Sequence, residues 1–170
     1  MKEKRAPSEN KLTAMVKIEM LSGEKFKRMT PELIRIYFSA YSDFPEYAYP
    51  NRREVKRYLK WLLKGDPQGF FVAIWDGKPV GFIAVHSRWY DWQEDLVGEI
   101  HELAVDKEYQ KKGIGKTLIE KALDYLKSKG RKRITLWVGE RNDRAIKIYE
   151  RMGFIKLYQW GIWIRMILYA

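Results

Sequence analysis

Apolar positions change period along this chain of 170 residues, and each change marks an element. Val16, Ile18 and Met20 alternate with Lys17 and Glu19, the period of two that a half-buried strand requires, which predicts a first strand over 16–21. Thr30, Pro31 and Glu32 then offer an N-cap followed by proline at the first helical position, and Leu33, Ile34, Tyr37 and Phe38 continue at helical spacing. Pro45 and Pro50 bound an aromatic loop, after which Val55, Tyr58, Leu59 and Leu62 predict a second helix over 52–64, stopped by Gly65 and Pro67. Strand patterns at 69–75 and 80–86 flank Asp76-Gly77, a strong hairpin signal.

A tryptophan-bearing link at 87–94 leads to an apolar strand ending at Val105. Ile114, Leu118, Ala122 and Leu126 recur at helical spacing beside Ile119 and Leu123, and Gly130 closes that helix. A strand at 133–138, a short helix at 143–152 and a hairpin over 154–160 and 162–168 complete the chain. Antiparallel strands followed by one strand-helix-strand crossover predict an α/β fold, a mixed and mostly antiparallel sheet with flanking helices. Residues 1–13 are polar, lysine-rich and without period, so they are expected to form a flexible N-terminal tail, with 14–170 a single domain.

Composition narrows the chemistry. The chain has no cysteine, which excludes disulfides, thiolate metal sites and a cysteine-linked acyl-enzyme. Its two histidines, His86 and His101, are too few for a histidine metal cluster and are expected to be strand residues satisfied locally. No metal is expected. The longest apolar runs fall short of a membrane span and the basic N-terminus lacks an apolar signal region, so a cytoplasmic protein with no membrane partner is expected. The formal charge of +11 suits a polyanionic ligand. It would also suit nucleic acid, but the basic cluster at Lys127, Lys129, Arg131, Lys132 and Arg133 has no aromatic residue within it, which disfavours that partner.

The segment Gln110-Lys111-Lys112-Gly113-Ile114-Gly115-Lys116, with Thr117 behind it, sits where a strand meets a helix. Its two glycines let a phosphate approach the main chain, the unpaired N–H groups of the first helical turn point outward, and the helix dipole favours negative charge. A dinucleotide fingerprint would need a third glycine where Leu118 stands, and a Walker loop would need one at Gln110.

On these residues the chain resembles the Gcn5-related N-acetyltransferases (GNAT). The turn is similar to that family's acetyl-CoA pyrophosphate loop, and 142–154, with Asn142, Ala145, Tyr149 and Gly153-Phe154, is similar to its later signature. The resemblance implies an enzyme that uses acetyl-CoA and moves its acetyl group directly to a primary amine in a ternary complex. It implies that Gln110, Lys111, Lys112, Gly113, Ile114, Gly115, Lys116 and Thr117 hold the pyrophosphate. Leu103, Ala104 and Val105 would pair with the pantetheine arm and aim an N–H at the thioester oxygen, and Asn142 would contact the same arm or cap its helix.

A lysine-type ammonium has a pKa near ~10.4, so the amine needs a base. Counting back from the loop, the resemblance makes Glu99 the first choice and leaves Glu102 as its rival, with a water chain as the third option. Three residues apart on a regular strand, the two carboxylates point to opposite faces unless a bulge intervenes. Tyr149 is assigned by the resemblance to the departing sulfur. Tyr41, Phe44 and Tyr47, with Asp43 and Glu46 among them, are candidates to grip a cationic acceptor. Trp89, Trp92, Trp160 and Trp163 are candidates for the opposite wall or for a homodimer contact. Two other readings remain open, a CoA-binding regulatory module without turnover and a basic nucleic-acid-associated protein. The acceptor, small or carried on a protein, is not named by these residues.

Overall fold

The computed structural model describes residue 8, residues 15–93 and residues 95–170, so the tail expected at 1–13 lies, Ser8 apart, outside the described residues. Seven strands form one sheet: β1 (Val16–Met20), β2 (Phe70–Trp75), β3 (Lys78–Tyr90), β4 (Leu96–Val105), β5 (Arg133–Gly139), β6 (Ile155–Trp160) and β7 (Trp163–Tyr169). Their spatial order is β1-β2-β3-β4-β5-β7-β6, and every neighbouring pair is antiparallel except β4 with β5. Four helices flank it: α1 (Gly23–Ala40), α2 (Arg52–Gly65), α3 (Ile114–Ser128) and α4 (Asp143–Arg151). Among the described residues no helix is long and apolar enough to cross a membrane.

Two boundaries differ from the pattern. The first helix begins at Gly23, and Pro31 lies inside it. Thr30 is not its N-cap; its hydroxyl donates to the Phe26 carbonyl at 2.7 Å, and Phe26, Leu33, Ile34 and Tyr37 are buried on one helical face. Burial of that face outweighs the backbone hydrogen bond that a proline forfeits. The second difference is that Ser87 to Tyr90 continue β3, past a register shift between His86 and Trp89, where a link was expected.

The sheet separates two cores. On one face Ile83, Val85, Ile100, Leu118, Ala122, Leu126, Leu136 and Ile146 pack with α3 and α4. On the other Phe70, Val72, Phe82, Ala84 and Ala104 pack with Leu33, Tyr37, Val55 and Leu59 of α1 and α2. The α1 and α2 helices cover only the β1 to β4 half of their face. Beside that cover the turn at Pro45–Tyr47 reaches over β5 and β7, with Tyr47 against Gly139 and the Trp163 ring, and the functional groups converge at this edge.

Candidate active site

The site begins with an irregularity in β4. Ala84 pairs with Glu102 but Val85 pairs with Ile100, so His101 is an extra residue that bulges out of the ladder. A bulge shifts the alternation of side chains by one. As a result Glu99, His101 and Glu102 all lie on the face shared by α1 and α2, and the rule that would separate the two glutamates does not operate.

Their surroundings then decide between them. Glu99 is buried and both its oxygens are taken: Arg165 Nη1 donates to Oε1 at 2.6 Å, and the Thr135 hydroxyl makes a short hydrogen bond to Oε2. It lines no cavity described for this protein. Glu102 is buried too, with Tyr41 Oη donating to Oε1 at 2.6 Å and Tyr58 Oη to Oε2 at 3.1 Å, yet it opens into both neighbouring cavities. Burial pushes its pKa up from the usual 4.5 to about 7, against the pull of the two tyrosine hydrogen bonds. Of the two carboxylates, the one that lines these cavities is Glu102 and not Glu99, which the resemblance put first. Glu99→Gln would leave the Arg165 guanidinium buried without its counter-charge, and we expect denaturant unfolding to show a stability loss of about 3 kcal/mol.

His101 Nε2 lies 3.0 Å from His86 Nδ1, and His86 Nε2 lies 3.0 Å from the Leu62 carbonyl. A carbonyl only accepts, so His86 donates through Nε2 and His101 donates to His86. The pair is satisfied locally, as expected, and burial lowers the His101 pKa to about 3, which keeps it neutral. Trp89 packs on this pair away from the cavities, and Trp92 is exposed.

Beyond Ile100 and Leu136 the parallel strands β4 and β5 part, and among the described residues no strand pairs with His101 to Val105 on that side. A slot of about 60 Å³ occupies the gap, lined by Glu102, Leu103, Val138, Asn142 and Tyr149 among others. Asn142 caps α4 by accepting from Ala145 N–H at 3.3 Å, and its place on the slot wall is compatible with that role. Among the described residues no group hydrogen-bonds the Tyr149 hydroxyl. Burial and the nearby Glu102 push its pKa up, so it is a phenol that donates rather than a phenolate.

The start of α3 lies beside Val105 of β4 and Ile148 of α4. Gly113 is the N-cap residue, left-handed at φ 86°, with no side chain capping the helix and no acid in the first turn. Lys111 is left-handed as well, at φ 63°. The Gln110 amide donates to the Val105 carbonyl at 2.9 Å and accepts from Arg144, which ties the turn to β4 and α4. Open N–H groups, a dipole end and lysines at 111, 112 and 116 form a cradle for a diphosphate, so these residues fit the cofactor that the sequence implies.

Adjoining the slot, and sharing Glu102 with it, a chamber of about 610 Å³ opens, lined by Tyr37, Tyr41, Glu46, Tyr47, Ala48, Tyr49, Tyr58, His101, Glu102, Trp137, Trp160 and Trp163. Of the predicted acceptor residues, Tyr41 and Tyr47 line it; Phe44 does not, and packs on the Tyr47 ring instead. Tyr47 lies so close over Gly139 that a β-carbon there would collide with the ring, and its hydroxyl accepts from Arg141 N–H at 2.9 Å. Tyr37, Tyr58, Trp137 and His101 were not singled out from the sequence as part of this chamber. Tyr37 and Tyr58 sit on the apolar stripes of their helices, where an aromatic reads as core.

The chain matches the Acetyltransferase (GNAT) family over residues 30–154. It is 42% identical over 137 residues to an uncharacterized N-acetyltransferase of Methanocaldococcus jannaschii, a match that covers 80% of this chain and 61% of that protein. Its fold is similar to the crystal structure of a Pyrococcus horikoshii OT3 protein at TM-score 0.83 and 42% identity, covering 91% of this chain and 98% of the other. The PaiA N-acetyltransferase of Thermoplasma acidophilum, solved with coenzyme A, has a similar fold at TM-score 0.75 and 23% identity, over 91% and 99% of the two chains.

Proposed function

Because the chain belongs to the acetyltransferase (GNAT) family, we propose that it transfers an acetyl group from acetyl-CoA directly to a primary amine, with Glu102 as the base and Tyr149 at the leaving sulfur. One observation carries this reading: the slot and the chamber share a wall that includes Glu102 with Tyr41, Tyr47, His101, Trp137 and Trp163, and Tyr149 lines the slot only. The acyl donor and the amine can therefore reach one carboxylate from adjoining cavities.

Acetyl-CoA supplies the thioester, an acyl group already activated toward nitrogen. The Lys111 to Thr117 turn holds its diphosphate through main-chain N–H groups. The unpaired stretch Leu103 to Val105 accompanies the pantetheine arm through the gap between β4 and β5. Glu102, poised near neutral pH, takes a proton from the ammonium. The amine nitrogen then bonds to the acetyl carbon as the carbon–sulfur bond breaks, and the second proton that nitrogen gives up ends on the departing sulfur, so an amide and the free CoA thiol leave. Tyr149 Oη donates a hydrogen bond to the sulfur as its charge develops. A phenol near pKa ~10 is a weaker acid than a thiol near ~8.5, so this hydrogen bond acts before any proton transfer is complete.

An amine-dependent thiol-release assay with acetyl-CoA tests the activity, and Tyr149→Phe tests the assignment. The ring volume is kept, so a purely structural tyrosine would leave kcat unchanged. As a hydrogen bond to the departing thiolate, its loss lowers kcat by about ten- to a thousand-fold with acetyl-CoA affinity nearly constant. An unchanged kcat, with chemistry rate-limiting, removes Tyr149 from the mechanism.

A further inference from the structure

The acceptor chamber contains more information than the presence of an amine site. Its wall is built mostly of rings, and four of its five tyrosine hydroxyls hydrogen-bond inside the protein. Tyr41 and Tyr58 donate to Glu102, Tyr37 Oη accepts from Tyr49 N–H at 2.9 Å, and Tyr47 Oη accepts from Arg141 N–H. Those four hydroxyl oxygens are tied into the protein, and the rings that carry them form the wall. Trp137, Trp160 and Trp163 extend that surface, and Trp160, 76% exposed, stands at the mouth.

The charges are equally selective. Two carboxylates line the chamber, and one of them is already neutralised: Arg141 Nη1 binds Glu46 Oε1 at 2.9 Å. Among the described residues, Glu102 is the chamber carboxylate without a cationic partner. A second ammonium on the same ligand would meet no available anion in the chamber and would face the Arg141 guanidinium, in a chain whose net charge of +11 already repels polycations.

Resting on the acetyl-transfer reading above, we propose that the acceptor is a singly charged primary amine borne on a bulky apolar body, its ammonium at Glu102 and its body among the tyrosine and tryptophan rings. Diamines and polyamines are disfavoured, because a second ammonium meets Arg141 and a Glu46 that is already paired. A chamber of about 610 Å³ has the size of a small-molecule site and far exceeds what an ammonium group needs. Ring faces add cation–π attraction to the apolar contact. The same chemistry is offered by a free aralkylamine and by the first residue of a polypeptide with a large apolar side chain.

The test uses the full chain. Calorimetry with acetyl-CoA comes first; no binding means that the underlying acetyl-transfer reading has failed, and the inference falls with it. With binding established, kcat/KM is measured for 2-phenylethylamine, ethylamine, putrescine and spermidine, and for two short peptides that begin with Phe or Gly. We expect 2-phenylethylamine or the Phe peptide to exceed its small-bodied counterpart and both polyamines by about 100-fold, the equivalent of burying one large apolar group. Turnover of the free amine identifies a small-molecule source, and turnover of the Phe peptide only identifies a polypeptide; either outcome supports the class. Trp160→Ala, at an exposed position, should raise KM for the bulky amine by about ten-fold and weaken its quenching of tryptophan fluorescence. Arg141→Ala, also exposed, should release Glu46 and raise kcat/KM for putrescine by about five-fold. Putrescine or spermidine as the best substrate, equal rates within both the 2-phenylethylamine–ethylamine pair and the Phe–Gly peptide pair, or acetyl-CoA binding with no amine acetylated would each overturn the proposal.

Discussion

Glu102→Gln lowers kcat/KM by about 10²- to 10⁴-fold at pH 7, the usual contribution of a positioned general base, without unfolding the protein. The glutamine keeps the side chain's shape between Tyr41 and Tyr58 and removes its charge, and the one hydroxyl that then faces the amide NH2 rotates to accept from it. Stability separates this result from a structural defect. Burial favours the protonated Glu102 in the folded chain, with a pKa of about 7 against the usual 4.5. Between those values the folded chain holds a proton that the unfolded chain has released, so the stability this supplies is complete below pH 4.5 and gone above pH 7. At pH 8 the wild type carries a buried carboxylate charge and the variant does not. Its melting temperature there should equal or exceed that of the wild type. In the rate profile, the wild-type limb that rises through pH 7 disappears in Glu102→Gln, leaving only the dependence on the amine's own ionisation. A variant with full kcat/KM at pH 7 would return the base to Glu99 or to water.

Gly115→Glu abolishes acetyl-CoA binding, by 100-fold or more, about 3 kcal/mol, with little change in folding. A β-carbon at Gly115 meets Val105 Cγ2 at 3.9 Å and Ile148 Cδ1 at 4.0 Å, ordinary contacts that require nothing to move. A carboxylate in the first turn of α3 is favoured by the helix dipole, so the helix itself gains slightly. The same carboxylate occupies the place of the diphosphate and repels it. Titration calorimetry measures the affinity and thermal unfolding the stability. Unchanged affinity would remove the turn from cofactor binding.

Much of this architecture is local, and local features are legible in a sequence. The Asp76-Gly77 hairpin, the amphipathic stripes of α2 and α3 and the Asn142 cap each depend on a few consecutive residues, and all are present. The turn before α3 belongs to the same class. Its N–H groups, helix end and lysines come from one short run of chain, so the glycines and their neighbours specify its geometry. Even so, propensity misplaced the start of α1: a Thr-Pro pair reads as a helix start until tertiary burial of Phe26 and Leu33 extends the helix past it.

What the sequence determined by itself was the set of elements, the mixed sheet and the glycine-bearing turn from strand to helix, because each follows from periodicity or from contiguous turn chemistry. What only the tertiary structure decided was which carboxylate is available. That choice depends on the extra residue at His101, created by how β4 pairs with β3, and on partners far along the chain: Arg165 for Glu99, and Tyr41 and Tyr58 for Glu102. Side-chain direction on a strand has a period of two, so one unpaired residue reverses it from that point on, and no pattern within β4 records the shift. The acceptor chamber arises in the same way, from rings on two helices, a loop and three strands that meet only when the sheet closes beside them.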